Sequence, residues 1–538
     1  MAKTTSFTSA HTRRPVGRIE GKTSMKSIGR SIIAGTVCIL ALAFAGVSRA
    51  ACVPHNLATP APRDPVALVL AQQAACPKNP VQFVDMLQRA GARLEPTMVN
   101  FVGFHNPGPG AFFIFEIASS GGAAPSNPAI QRGDLLFGHF TATTNDGKLF
   151  SNESGLTIEL IAWDPDKQFY NFYEVVDANW FYRGDSKDIL DDIQSLHRQR
   201  NATVGPFGTH LRCSGCHVGG GLLQKELAAP HNDWFLKDRK LPLGTLKPDA
   251  FVKGRLADLV DAGELSKLVT ASAHRLADSP GYRKVLAGRS MQEQLRPLFC
   301  PVEINIESDA DPFDERKPAM HVPSAFFADS RLATADISVK RQHYDAALQK
   351  LRSRLPETPG RADADHGWLT PVKAQSDIVA VDALIEQGVV DKEFAADVLA
   401  VDFTNPVFSK MRCGLLKLVP DKGGSDFVAR FQDALRGASA PGATELLRNL
   451  TDPVRNAAFH QKQALAFLAS CQQRAADPGA VVDWSRLLAQ RRAEVGASEI
   501  SKNPRGHILE DPGRIVFPSI QPQAVAGRLV LTPECLVR

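Results

Sequence analysis

Five consecutive residues, Cys213-Ser214-Gly215-Cys216-His217, combine two thiols and an imidazole at a spacing that suits one chemistry. The pattern is C-x-x-C-H, the attachment signature of a c-type haem. Each thiol forms a thioether with one vinyl group of the porphyrin. Two intervening residues on a helical turn bring both sulfurs to one edge of the ring. The imidazole that follows then rises beneath the ring as the proximal iron ligand. The same C-x-x-C spacing serves redox dithiols and halves of zinc sites. The chain holds no second C-x-x-C, which counts against zinc. The motif predicts one haem c, covalent through Cys213 and Cys216, with His217 on the iron.

The sixth iron position decides what such a centre does. A second strong ligand makes an electron carrier, and an open position binds or activates a small molecule. His231, 14 residues past His217 and beyond Gly219-Gly220-Gly221, is the first distal candidate. Met320-His321, an isolated pair read as a Pro-flanked loop, is the second. His105 and His139 are weighed beside them, and His210 belongs nearer the ring edge or the propionates. Met86 and Met411 read as core filling. Arg183, Arg212 and Lys225 are either propionate partners or solvated surface charges.

Covalent haem attachment takes place outside the cytoplasm, so an export signal is the feature to look for. The one long apolar run, Ile32 to Val47, has 16 residues, short of the ~20 that span a bilayer. Lys26 and Arg30 precede it, and Ser48-Arg49-Ala50 places small residues at the −3 and −1 positions of a cleavage site. This is the pattern of a secretory signal peptide over residues 1–50, with an uncleaved anchor as the alternative. Met25 opens a segment of ordinary signal length, so translation from Met25 is an alternative to Met1. Arg13-Arg14, followed by Pro15, makes a poor twin-arginine motif. Arg49, three residues before Cys52, spoils a lipoprotein signal. Residues 1–50 hold eight Lys or Arg and one Glu; without that +7 the net charge of +5 falls to about −2. The basicity belongs to the signal, and no nucleic-acid partner is expected. The mature chain is expected in the periplasm with no membrane span. Six cysteines remain after the signal and the haem thiols: Cys52, Cys76, Cys300, Cys413, Cys471 and Cys535. An even number in an oxidising compartment suggests disulfides, with Cys52–Cys76 the favoured pair.

The elements that must position the motif divide in two. The 538 residues, 44% hydrophobic and 22% charged, are ordinary for a folded chain and allow two to four domains. Val81 to Ala90 reads as a helix. Strands are expected over Ala111–Ile117, Leu135–Thr144, Lys148–Ser151, Thr157–Trp163 and Gln168–Val176. Asn145-Asp146-Gly147 and Asp164-Pro165-Asp166 serve as turns. Short turns favour an antiparallel meander. Three of the five tyrosines lie between Phe169 and Tyr182, just upstream of the motif, as haem-pocket wall or as sheet core. Asp185-Ser186 caps a helix carrying Ile189, Leu190, Ile193 and Leu196. Beyond residue 241 the pattern is mainly helical, beginning with Phe251 to Leu276. Asp309 to Lys317 reads as a polar loop. Short strands are expected at Pro301–Ile306, Arg514–Phe517 and Arg528–Leu531.

Gly219-Gly220-Gly221, Lys225-Glu226-Leu227 and Pro230-His231-Asn232-Asp233-Trp234, following the C-x-x-C-H, resemble a group of large, mostly uncharacterised bacterial cytochrome c-like proteins. The resemblance covers about 50 residues, from Trp180 to Trp234. It implies covalent haem c and export, and it supplies no activity. Relatives often carry Met where this chain has Gln224. The order of elements, a meander leading into C-x-x-C-H, is also similar to antiparallel-sheet cytochromes of the c-prime-beta type. In those the haem is commonly five-coordinate and faces a hydrophobic pocket.

The expected fold is α+β: a β-rich N-terminal domain (51–184), a haem c attachment segment (185–240) and a mainly helical C-terminal region (241–538). The expected function is haem binding and electron transfer to or from a periplasmic redox partner protein. Size argues for an alternative, because a carrier encloses one haem in about 100 residues. That alternative is a haem-dependent oxidoreductase of peroxidase or oxygenase type, with an open distal site and a small-molecule substrate. A non-catalytic haem protein that binds a gas or small ligand is the third.

Overall fold

Alternation of apolar and polar residues between Ala92 and Asp185 builds an antiparallel meander. Its strands are β1 (Ala92–Asn100), β2 (Phe112–Ser120), β3 (Leu135–Thr143), β4 (Leu149–Ser151), β5 (Ile158–Asp164), β6 (Phe169–Val176) and β7 (Asn179–Asp185). The main path runs β1-β2-β3-β5-β6-β7, with β4 pairing β3 and a two-residue β8 (Lys247–Pro248) pairing β4. The computed structural model describes residues 52–100, 112–121, 129–143, 149–151, 158–191, 213, 217, 219–222, 235, 247–307, 318–351, 370–498, 514–515 and 528–538. Residues 1–50, His105, His210, Arg212, Cys216, Lys225, His231 and the expected loop at Asp309–Lys317 lie outside the described residues.

β1 and β7 go beyond the expected strands. β1 contains Pro96, which a sheet accepts only on an edge, and β1 is the edge. β7 follows β6 through Asp177-Ala178, both at positive φ (48° and 63°), a tight hairpin turn built without glycine.

Both faces of the sheet are covered. One face carries Leu135, Phe137, Leu160, Tyr173 and Val175. It packs on α1 (Pro65–Leu70) and α2 (Pro80–Arg89). α2 starts at Asn79, whose side chain accepts the Gln82 amide at 2.9 Å. The opposite face carries Ile117, Leu136, Tyr170 and Phe172. It meets the helical region. The expected helix from Phe251 to Leu276 is two helices, α3 (Ala250–Ala257) and α4 (Ala262–Asp278). Asp261 ends the break between them by capping α4 through the Gly263 amide. Leu265, Val269 and Leu276 of α4 lie on the sheet.

Two further helices turn back from α4: α5 (Pro280–Ala287) and α6 (Met291–Phe299). β9 (Glu303–Glu307) pairs β12 (Thr370–Lys373) antiparallel and β13 (Arg514–Ile515) parallel, while β10 (Ala319–Val322) pairs β11 (Ile337–Lys340). The remaining helices are α7 (Arg341–Leu351), α8 (Gln375–Glu386), α9 (Lys392–Leu399), α10 (Lys410–Gly414), α11 (Phe427–Arg436), α12 (Ala443–Thr451), α13 (Ala457–Arg474) and α14 (Pro478–Ser498). They share one large core that includes Phe299, Phe431, Phe467 and Trp484. Arg528–Leu531 is not a strand; Leu531 forms a single bridge to Val537. The fold is α+β, and Ala50–Arg538 forms one compact unit.

Disulfides join Cys52 to Cys76, Cys300 to Cys413 and Cys471 to Cys535; the first is the pair the sequence favours. Among the described residues no helix is long and apolar enough to cross a membrane.

Candidate functional site

Cys213 and His217 lie on the sheet face that Tyr170 and Phe172 present. Asp185 Oδ1 accepts the Lys187 and Asp188 amides at 3.0 and 3.1 Å, which starts a helical stretch over 186–191. Ile189 of that stretch joins the sheet core, and Cys213 packs half-buried against the same cluster. The His217 amide donates to the Cys213 carbonyl at 2.8 Å. That is one helical turn, so a thiol and an imidazole four residues apart stand on one side.

His217 is fixed from two directions. Its ring meets Phe172 with centroids 5.2 Å apart. Nδ1 lies 2.9 Å from the Gly221 carbonyl oxygen. A carbonyl only accepts, so Nδ1 carries the proton and the ring lone pair sits on Nε2. Such a bond from the remote nitrogen is how proteins orient an imidazole that binds a metal.

The loop is tied down by distant elements. The Tyr282 hydroxyl of α5 donates to the Gly219 carbonyl at 2.7 Å. Burial pushes its ionisation well above the usual tyrosine range, so it stays a neutral donor. Gly220 turns the chain at φ +72°, and a Cβ there would lie 2.7 Å from the Ser186 carbonyl oxygen. The glycine run is therefore needed at Gly220 for close approach to the protein's own backbone.

His217 lines a cavity that is partly open to solvent. Its wall comes from α4, α5, α6 and α8 together with Gly219, Gly221 and Leu222 of the loop. Small side chains keep it wide: Ala273 and Ala277 on α4, Ala380 and Ala383 on α8. Ionisable groups join them: Glu293 and Arg296 of α6, Glu303 of β9 and Asp377 of α8. Asp377 Oδ2 accepts the Val302 and Glu303 amides at 2.7 and 3.1 Å. Burial raises its carboxyl to about 7, against the two amides, Lys373 and Arg296, all of which favour the charged form. Arg289, before α6, also lines the cavity and pairs with Asp191.

The other residues proposed from sequence take different places. Met320 is buried in the large helical core, and His321 beside it is exposed and paired with Asp336. Neither lines the cavity, which removes that pair as a distal candidate there. His139 is buried among Phe137, Phe251 and Glu116, with Nε2 3.2 Å from Glu116 Oε1. Arg183 binds Glu174 at 2.8 Å and stacks on Phe181. It forms part of the sheet surface and does not line the cavity. Met86 lies in the core beneath the sheet, and Met411 packs against the helical core. Tyr282, Arg296, Glu303 and Asp377 went unnoticed in the sequence, because they stand 65 or more positions beyond His217. The one available signal was the small-residue face of α8, with Ala380 and Ala383 three apart.

The arrangement offers an imidazole nitrogen donor, a thiol one turn away and a mainly apolar cavity with a few ionisable groups on its wall. Comparison of the chain with protein-family models, curated proteins and solved structures finds no match.

Proposed function

We propose that this protein is an exported, mono-haem c-type cytochrome that works in a periplasmic electron-transfer process. The observation that carries the reading is His217: its Nδ1 is committed to the Gly221 carbonyl, and its ring opens onto a mainly apolar cavity walled by α4, α5, α6 and α8. His217 would hold the iron through Nε2, and Cys213 and Cys216 would hold the ring by thioethers. Bound there, haem supplies a one-electron couple at the iron. The chain's own part is to orient the imidazole through Phe172 and Gly221, to clamp the loop through Tyr282, and to exclude water with the Ala and Leu side chains of α4 and α8. Export follows from residues 1–50, as read from the sequence.

A second reading, a haem-dependent oxidoreductase, is favoured by one specific feature. Glu293, Arg296, Glu303 and Asp377 line the same chamber as His217. A pure carrier has no need of acid and base groups there.

The deciding experiment is the absorption spectrum of protein matured with a haem-attachment system, taken oxidised, reduced, and reduced with carbon monoxide. Covalent haem is expected, and His217→Ala should abolish the native spectrum. A chain that matures without haem, or an H217A protein with an unchanged spectrum, would end the haem reading. A spectrum insensitive to carbon monoxide favours electron transfer; rapid carbon monoxide binding favours the oxidoreductase.

A further inference from the structure

Asp377 is a carboxylic acid on the wall of the His217 cavity, 3% exposed. Two backbone amides fix its Oδ2, and Oδ1 takes neither of them. Charged or titratable groups approach this corner from each element packed on it. Arg296 and Glu293 come from α6, Glu303 from β9, Lys373 from β12, Tyr282 from α5 and His217 from the loop. Several of these are engaged elsewhere: Lys373 binds Asp329 at 2.6 Å, the Tyr282 hydroxyl binds the Gly219 carbonyl, His217 Nδ1 binds the Gly221 carbonyl, and Glu293 accepts the Ser290 amide. Glu303 Oε2 accepts from Ser376 Oγ at 3.4 Å.

We propose that Asp377 is the proton-accepting group of this site: as an external one-electron donor reduces the centre, the Asp377 carboxylate takes one proton from solvent. The idea rests on the haem reading above. The charge balance is simple. The electron lowers the charge of the cavity by one, and the proton restores it. Beside a buried carboxylate, losing a nearby positive charge costs more than it would in water, so the proton affinity of the acid rises on reduction. Burial already holds the Asp377 carboxyl at about 7, where a modest change in field switches it near neutrality.

The test is a redox titration of the haem-loaded protein between about pH 5 and 9, where linked proton uptake shows as a sloping midpoint potential. In the wild type the midpoint should fall with rising pH. The slope approaches a tenfold loss of electron affinity per pH unit, about 59 mV for a one-electron couple. Asp377→Asn should flatten it. Asp64→Asn, which changes a buried carboxyl on the opposite face of the sheet, should leave it. A flat wild-type profile, or a slope that survives in D377N, overturns the proposal while leaving the haem reading intact. Absence of covalent haem in the wild type overturns both. A wild-type infrared difference spectrum provides a check that needs no variant. Reduction should add a protonated-carboxyl band that moves on 13C-aspartate labelling, and its absence also overturns the proposal.

Discussion

Gly220 carries the tightest constraint in the His217 loop. A side chain there meets two penalties together: a backbone at φ +72° and a carbonyl oxygen 2.7 Å from the new Cβ. The Ser186 carbonyl belongs to the sheet-to-helix junction and has little room to yield. Gly220→Ala should therefore lose ~1–3 kcal/mol of stability and lower the yield of covalent haem. A thermal melt of the variant checks the first and haem staining the second; an unchanged melting temperature would show that the loop is free to move. Tyr282→Phe is the gentler probe. It removes one hydroxyl and its 2.7 Å bond to Gly219, and should cost about 1 kcal/mol in urea unfolding. Its haem spectrum should stay near wild type, because the bond from His217 to Gly221 is untouched.

Helices α4 and α8 make the chamber possible by meeting through alanines. Ala273 and Ala277 on one face Ala383 on the other, so the two helices pack closely while the space beside them stays open. Ala380→Phe should fill part of that space. Covalent haem should fall several-fold while the far-ultraviolet circular dichroism stays native, since Ala380 is only half-buried and its cost is overpacking of ~1–3 kcal/mol. Equal haem loading in the A380F protein would place the porphyrin somewhere else. The same two helices explain why the sequence discloses the loop and hides the wall. Cys213 and His217 are local, four residues apart, and their chemistry is written in their spacing. Ala277, Tyr282, Glu303 and Asp377 come to the site only through tertiary packing, and alanine in a helix reads as mere helix propensity. The meander was legible where turns announced themselves, as at Asp164-Pro165-Asp166. It was not legible at β7, where Asp177-Ala178 makes a tight turn without glycine, or at β1, where Pro96 disguises an edge strand. Asp185 was readable as a cap because a carboxylate before an apolar helical repeat has a local reason to be there.

Two buried carboxyls tie the stability of the whole chain to pH. Asp64 accepts the Tyr173 hydroxyl at 2.6 Å, Asn171 Nδ2 at 2.7 Å and the Val66 and Ala67 amides at the start of α1. Burial outweighs these bonds and raises it from 3.8 to about 6. Burial likewise raises Asp377 from 3.8 to about 7. Each acid holds its proton in the folded chain at a pH where the unfolded chain has released it. Their stabilising contribution is therefore complete below the ordinary carboxyl value and is lost as pH rises through about 6 and about 7. At ~1.4 kcal/mol per pKa unit, the two together amount to about 7 kcal/mol. Asp329, held low by Lys373, acts in the opposite sense, but its contribution is lost only as pH falls below the ordinary range. The urea midpoint should therefore drop between about pH 4 and 7, and D64N with D377N together should flatten that drop. An identical pH profile in the double variant would refute the assignment. The two acids sit on opposite faces of the sheet without a shared partner, so their single-variant effects should add. Haem loading should alter only the Asp377 part, because only that carboxyl lines the chamber.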